Sequence, residues 1–226
     1  MEEKAITEKE SLQIITEMIR KAKPGINESG VSAILWGGVI AICGLLDFAQ
    51  HFWNFSIGFD VWLLTLAAFI PQAFISFKES KQRTHKTHSE EAINYVWWIY
   101  TVSIFALVFY FNVVPSTTDK ILQQNGAVVN ITENGVTKQL HYFVPSAQSL
   151  LLLLYAIPTL ATGLIFKFRP MTVGAIICYG FFLVSCFTES TYDALMNGLA
   201  GIFNWLVPGI ILYKKRTSRS NPSLNV

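Results

Sequence analysis

The sequence predicts an all-α membrane protein of about six transmembrane helices, both termini cytoplasmic, with an N-terminal amphipathic helix and a β-hairpin in one long outer loop. Three observations predict it. Hydrophobic residues make up 52% of the 226 and charged residues only 14%, too few charges to cover a soluble globule of this size. Uncharged runs recur near the length of roughly 20 residues that a helix needs to cross a hydrocarbon core about 30 Å thick. Finally, the basic residues lie almost wholly on one side of the alternation that these runs impose.

The runs cover residues 31–48, 61–77, 92–114, 147–166, 171–188 and 194–213. Placing the N-terminus inside collects Lys4, Lys9, Arg20, Lys21, Lys23, Lys78, Lys81, Arg83, Lys86, Lys167, Arg169, Lys214, Lys215, Arg216 and Arg219 on the cytoplasmic face. Of the 17 Lys and Arg residues only Lys120 and Lys138 fall outside. Merging or splitting a run would swap the sides of every later loop and destroy this bias, so the charge pattern supports the count as well as the orientation. The opening residues are polar and partly acidic, unlike a signal peptide, and the first span reads as a retained anchor.

Residues 1–28 form a cytoplasmic unit ahead of a transmembrane domain at 29–226. Thr7-Glu8-Lys9-Glu10 has capping-box spacing, and Leu12, Ile15, Met18, Ile19 and Ala22 recur at helical intervals until Pro24-Gly25. Its apolar stripe either packs on the protein's own helices and the membrane interface or docks a cytoplasmic partner, with Leu12, Ile15, Met18 and Ile19 as the docking face. The cytoplasmic loop after the second run holds His85 and His88, an incomplete metal site without further ligands, so no metal is expected.

The outer loop, residues 115–146, is long enough to carry structure of its own. β-favouring residues 128–132 and 136–141 flank Asn134-Gly135, the pattern of a hairpin closed by a type I′ turn, which sets Val129 against Leu140. Asn130-Ile131-Thr132 matches a glycosylation acceptor, which matters only in a pathway that has the enzyme. A cytoplasmic tail, residues 214–226, closes the chain.

Within the spans, Ile70-Pro71, Ile157-Pro158 and Val207-Pro208 occupy similar places before a basic end, which suggests either a threefold hairpin repeat or the ordinary frequency of proline in membrane helices. Ala33, Gly37 and Ala41, and Ala194 with Gly198, form small-residue ridges for close packing within the monomer or for a homo-oligomer. Cys43, Cys178 and Cys186 read as small packed hydrophobes rather than a disulfide framework. Trp36, Trp53, Trp62, Trp97, Trp98 and Trp205 read as interfacial belts. The amides Gln72, Asn94, Asn112, Gln148, Asn197 and Asn204 read as cross-helix structural bonds.

Asp47, His51, Asp60, Glu189 and Asp193 all fall towards the outer face. Hydration at helix ends accounts for them; the sharper reading is an acidic outer vestibule for a cation or proton. No phosphate-binding glycine loop, nucleophile elbow, His-Glu-x-x-His pair or paired intramembrane aspartates occur, so neither an enzyme nor a cofactor is expected. The positive charge follows from topology, and nucleic acid is not an expected partner.

Residues 10–19 (Glu-Ser-Leu-Gln-Ile-Ile-Thr-Glu-Met-Ile), Ala22-Lys23, Leu35-Trp36-Gly37-Gly38, Tyr155-Ala156-Ile157-Pro158-Thr159 and Val207-Pro208-Gly209 resemble an uncharacterised family of small polytopic inner-membrane proteins from Bacteroidota. The resemblance implies a bacterial inner-membrane location and, through frequent gene neighbours that are small winged-helix regulators, a regulatory role. It carries over no functional residues, and the long outer insert departs from the usual family pattern. The sequence thus favours a non-enzymatic sensor or scaffold, with a small channel or transporter as the alternative.

Overall fold

The computed structural model describes residues 29–82, 88–127, 130–133, 135–139, 147–188 and 190–220. The amphipathic segment with Leu12, Ile15, Met18 and Ile19, together with His85, Val129, Leu140 and Glu189, lies outside them.

Helix α1, Val31–Phe52, starts where Gly30 takes a left-handed φ of 78° that a side chain would strain. Helix α2, Leu63–Gln82, follows a turn, and α3, His88–Gln124, is the longest helix at 37 residues. Two short strands, β1 at Asn130–Glu133 and β2 at Val136–Gln139, pair antiparallel with Asn130 opposite Gln139 and Thr132 opposite Thr137. Helix α4, Ala147–Ile165, and α5, Arg169–Ser185, form a tight hairpin. The last helical rod comprises α6, Ser190–Gly201, a π-helical turn, Ile202–Leu206, and α7, Val207–Ser220.

Among the described residues, four helical segments are long and apolar enough to cross a membrane: Val31–Phe52, His88–Gln124, Gln148–Ile165 and Ser190–Ser218. Each of the six apolar runs lies mainly on a helix, but two fall short of that standard. Helix α5 has 17 residues, about 26 Å at 1.5 Å per residue. Helix α2 carries Lys78, Glu79 and Lys81 in its last turns, which lower its hydropathy.

Glycine positions the core. A Cβ on Gly37 would lie 2.9 Å from the Gly201 carbonyl oxygen, one on Gly44 2.7 Å from that of Ala194, and one on Gly209 3.0 Å from the Ala33 Cβ. The ridge Ala33, Gly37, Ala41 therefore packs within the monomer, against Gly201, Leu206 and Gly209. Lipid removes the hydrophobic drive between helices, leaving close packing and hydrogen bonds to hold them, and small residues permit both. Helices α4 and α5 close over the α6 and π segments, whereas α2 leans on α1 and α3 on α4.

The π turn has an evident cause. Pro208 has no N–H for the Asn204 carbonyl, and the ladder widens so that Val207 N–H donates to Ile202, five residues back.

Contacts define two ends of the bundle. At one, Ser29 donates through its backbone N–H to Glu79 Oε1 at 3.2 Å, and Lys215 Nζ sits 5.5 Å from the Phe168 ring centroid. A Cβ on Gly30 would lie 3.1 Å from Tyr213 N at the same end. Lys78, Lys81, Lys167, Arg169, Lys214 and Arg216 belong to these chain segments. The α1–α2 and α5–α6 turns make the opposite end.

Three sequence expectations need correction. Helix α3 runs through Pro115 to Gln124, so the first part of the expected outer loop is helical; Thr117 Oγ1 donates to the Val113 carbonyl at 3.0 Å in this stretch. Trp36, Trp62, Trp97 and Trp205 are not a belt: their indoles donate to Gln72, Asp47, Thr162 and Thr159 at 3.1, 3.0, 3.2 and 2.9 Å, because an indole N–H away from water needs a protein partner. Only Cys43 and Cys178 are buried, donating to the Val61 and Leu152 carbonyls, each at 3.2 Å, while Cys186 is exposed at the end of α5.

Candidate functional site

The residues with the most polar chemistry meet at the end of the bundle opposite the basic one. Helix α1 delivers Asp47 in its penultimate turn, facing inward and only 9% exposed. Trp62 Nε1 donates to Asp47 Oδ2 at 3.0 Å, and Gln148 Nε2, from the first turn of α4, donates to the same oxygen at 3.4 Å. One turn beyond Asp47, His51 places Nδ1 2.9 Å from the Asp47 backbone oxygen and 3.3 Å from its Oδ1.

Helix α6 delivers Asp193, which is 0% exposed. Its carboxylate meets two hydroxyls, Ser149 Oγ of α4 at 3.5 Å from Oδ2 and Thr188 Oγ1 at 3.5 Å from Oδ1. No cationic side chain among the described residues pairs with it. One turn on, Asn197 is also 0% exposed and ties the helices together, its Nδ2 donating to the Asp193 backbone oxygen at 2.9 Å and to that of Gln148 at 3.2 Å.

The junction has more acceptors than donors. Gln148 Oε1, on the amide that meets Asp47, and Asn197 Oδ1, one turn beyond Asp193, are buried without a hydrogen-bond partner, and the Asp193 carboxylate receives only two long hydroxyl contacts. A buried acceptor left unpaired costs about 1–3 kcal/mol, and a buried unpaired carboxylate considerably more, so such a cluster favours whatever positive charge can enter it. In the π turn that follows α6, Asn204 is fully buried with its side-chain amide beside the Cys178 thiol, which carries the polar face of α6 into that turn.

Of the expected vestibule residues, Asp47 and Asp193 come together through Gln148 and Asn197. Asp60 and His51 do not join the buried cluster. Both are exposed and line, with Asp47, Gln50 and Asn54, an open recess of ≈ 500 Å³ in front of it. Hydration at a helix end therefore does not describe Asp193, which is fully buried with its carboxylate against Ser149 of α4 and Thr188 beyond α5. No group of three or more His, Cys, Asp or Glu residues among those described is placed to hold a metal ion. The donor set is instead one carboxylate with hydroxyl and amide oxygens.

Set against family models, curated proteins and solved structures, the chain matches none. Its function rests on its own geometry.

Sequence reasoning treated Gln148 and Asn197 as structural amides and Trp62 as an interfacial aromatic, and it passed over Ser149 and Thr188 as functional residues. A signal was present: Asp193, Asn197 and Asn204 recur at near-helical spacing on one face of an otherwise apolar run, a costly pattern in lipid unless the face turns inward.

Proposed function

We propose that this protein is a six-span, non-enzymatic sensor or scaffold of the bacterial inner membrane, with both termini in the cytoplasm and its sensing element in the polar junction of α1, α4 and α6. The observation that carries this reading is the burial of Asp47 and Asp193 at one end of the bundle while basic residues occupy the other. Basic segments stay in the cytoplasm, which puts the acidic junction on the outer face, in reach of the aqueous phase through the recess. A change of charge there acts directly on helix packing, since the junction residues belong to the helices that meet backbone to backbone. The resemblance at residues 10–19 supports the inner membrane, and the segment before Pro24 is the natural cytoplasmic contact for a partner protein.

Deleting residues 1–23 tests the scaffold: membrane insertion persists and co-purification of a cytoplasmic protein is lost, whereas unchanged co-purification removes this basis. A tag between Thr117 and Val144 is accessible from outside and tags beside Lys81 or Lys214 are not; accessibility of all three from one side refutes the six-span arrangement.

The polar face Asp193, Asn197 and Asn204 favours a second reading, a small channel or transporter. It requires cation or solute flux in proteoliposomes that Asp193→Asn reduces, and a broad panel without flux rejects it.

A further inference from the structure

We propose that Asp193, Ser149, Thr188 and Asn197 form a binding site for a small monovalent metal cation of the sodium class. The inference deepens the sensor reading by naming the chemistry that its outer junction takes up.

Geometry is the first support. Ser149 Oγ and Thr188 Oγ1 each lie 3.5 Å from an Asp193 oxygen. Hydroxyl-to-oxygen hydrogen bonds run about 2.5–3.0 Å, so these pairs are too far apart to be well bonded. Calcium, bound at 2.3–2.6 Å, sets two neighbouring oxygens roughly 3.3–3.7 Å apart by simple right-angle geometry, which brackets the observed spacing, and sodium is an ion of nearly the same radius. Magnesium, at 2.0–2.1 Å, would draw them to about 2.9 Å.

The second support is independent of the carboxylate. Asn197 is fully buried, and both contacts of its Nδ2 run to backbone oxygens of Asp193 and Gln148, which fixes the amide inside the cluster and leaves Oδ1 there without a donor. Gln148 Oε1 is also buried without a donor, but its amide is turned to Asp47, outside this cluster. Oxygen ligands of this kind select hard cations.

Charge sets the valence. Asp193 brings one negative charge, and the hydroxyls and amides bring none. Asp47 has its own donors in Trp62 and Gln148 and a partner in His51. Among the described residues Asp193 is the one carboxylate of the cluster without an ionisable partner, and it balances a single positive charge.

The test uses purified full-length protein in lipid nanodiscs, with thermal unfolding followed as NaCl replaces choline chloride at constant ionic strength. The site predicts an unfolding midpoint that climbs with sodium and climbs less with potassium. Asp193→Asn flattens the response, and Ser149→Ala, which leaves the helix intact and covers the case in which the aspartate variant does not fold, raises the half-maximal sodium concentration about tenfold. Equal midpoints in sodium and choline for the wild type, or a full sodium response in Ser149→Ala and Asp193→Asn, overturn the proposal. A larger rise with calcium chloride at matched chloride overturns the monovalent assignment. Binding is read on the isolated protein without flux or partner, so failure here leaves the co-purification result standing, and loss of co-purification leaves sodium binding standing.

Discussion

Gly44 and Gly198 bring α1 and α6 into backbone contact: a methyl group built on Gly44 would sit 2.6 Å from the Gly198 Cα. The same closeness recurs at Gly198, where an added Cβ would lie 2.9 Å from Leu45 N, and at Gly201, 2.8 Å from Ala41 N. Because the obstructing atoms are backbone, no rotamer change relieves the clash and one helix must move.

Gly44→Val is therefore expected to destabilise the bundle by about 1–3 kcal/mol, the usual cost of overpacking a filled contact. Gly38 is the control, since nothing lies within 4 Å of a Cβ there and Gly38→Ala adds helix propensity. Unfolding of both variants by denaturing detergent, measured by circular dichroism, checks the pair: a loss at Gly44 with none at Gly38 is the expected result.

The indole of Trp205, 4% exposed and donating to Thr159 at 2.9 Å, sits with Tyr155 at a centroid distance of 5.0 Å and with Trp97 at 6.3 Å. Trp205→Phe keeps much of the ring packing and removes the donor. Hydrogen bonds between membrane helices average about 0.6 kcal/mol and reach about 1.7, so a loss within that range is expected, with Trp98→Phe, 69% exposed, close to neutral. Equal effects of the two substitutions in the same unfolding assay would contradict the structural role assigned to Trp205.

Apolar run length made the helices legible in the sequence, because it follows from the thickness of the bilayer itself. The neighbours of each helix were not legible. Trp36 and Trp62 carry the same composition signal whether they face headgroups or a glutamine and an aspartate on the next helix. Asp193 lies only a few residues from a turn, where hydration is the ordinary expectation, and the Ser149 hydroxyl that meets its buried carboxylate comes from 44 positions away. Pro208 marked an irregularity but not its form, since a kink and a π turn both answer the missing N–H. Where partners lie far apart in the chain, periodicity gives the face of a helix and not what covers it.

Trp62 ties the recess to the buried junction: its backbone N–H donates to Asp60 Oδ1 at 2.9 Å and its indole to Asp47 Oδ2 at 3.0 Å. Trp62→Phe removes one of the two side-chain donors to that oxygen and leaves a largely buried carboxylate less well satisfied, at a cost of about 1–3 kcal/mol. Trp53, 67% exposed, gives the reference, and Trp53→Phe is expected within about 0.5 kcal/mol of the wild type. Comparable losses for the two would remove Trp62 from the junction.

Cys186 and one introduced thiol distinguish the two ends of the bundle without a tag. Cys43 and Cys178 are 0% exposed, and Cys186 is open just past α5 at the acidic end. Folded protein is expected to take one equivalent of a maleimide, lost in Cys186→Ser, and three equivalents once denatured. Lys214→Cys in a background lacking Cys186 places an exposed thiol at the basic end. On intact spheroplasts a membrane-impermeant maleimide is then expected to reach Cys186 and to reach the thiol at position 214 only after permeabilisation. The reverse order would put the Asp193 junction on the cytoplasmic face, and labelling of both from outside would mean that the two ends do not lie on opposite sides of a membrane.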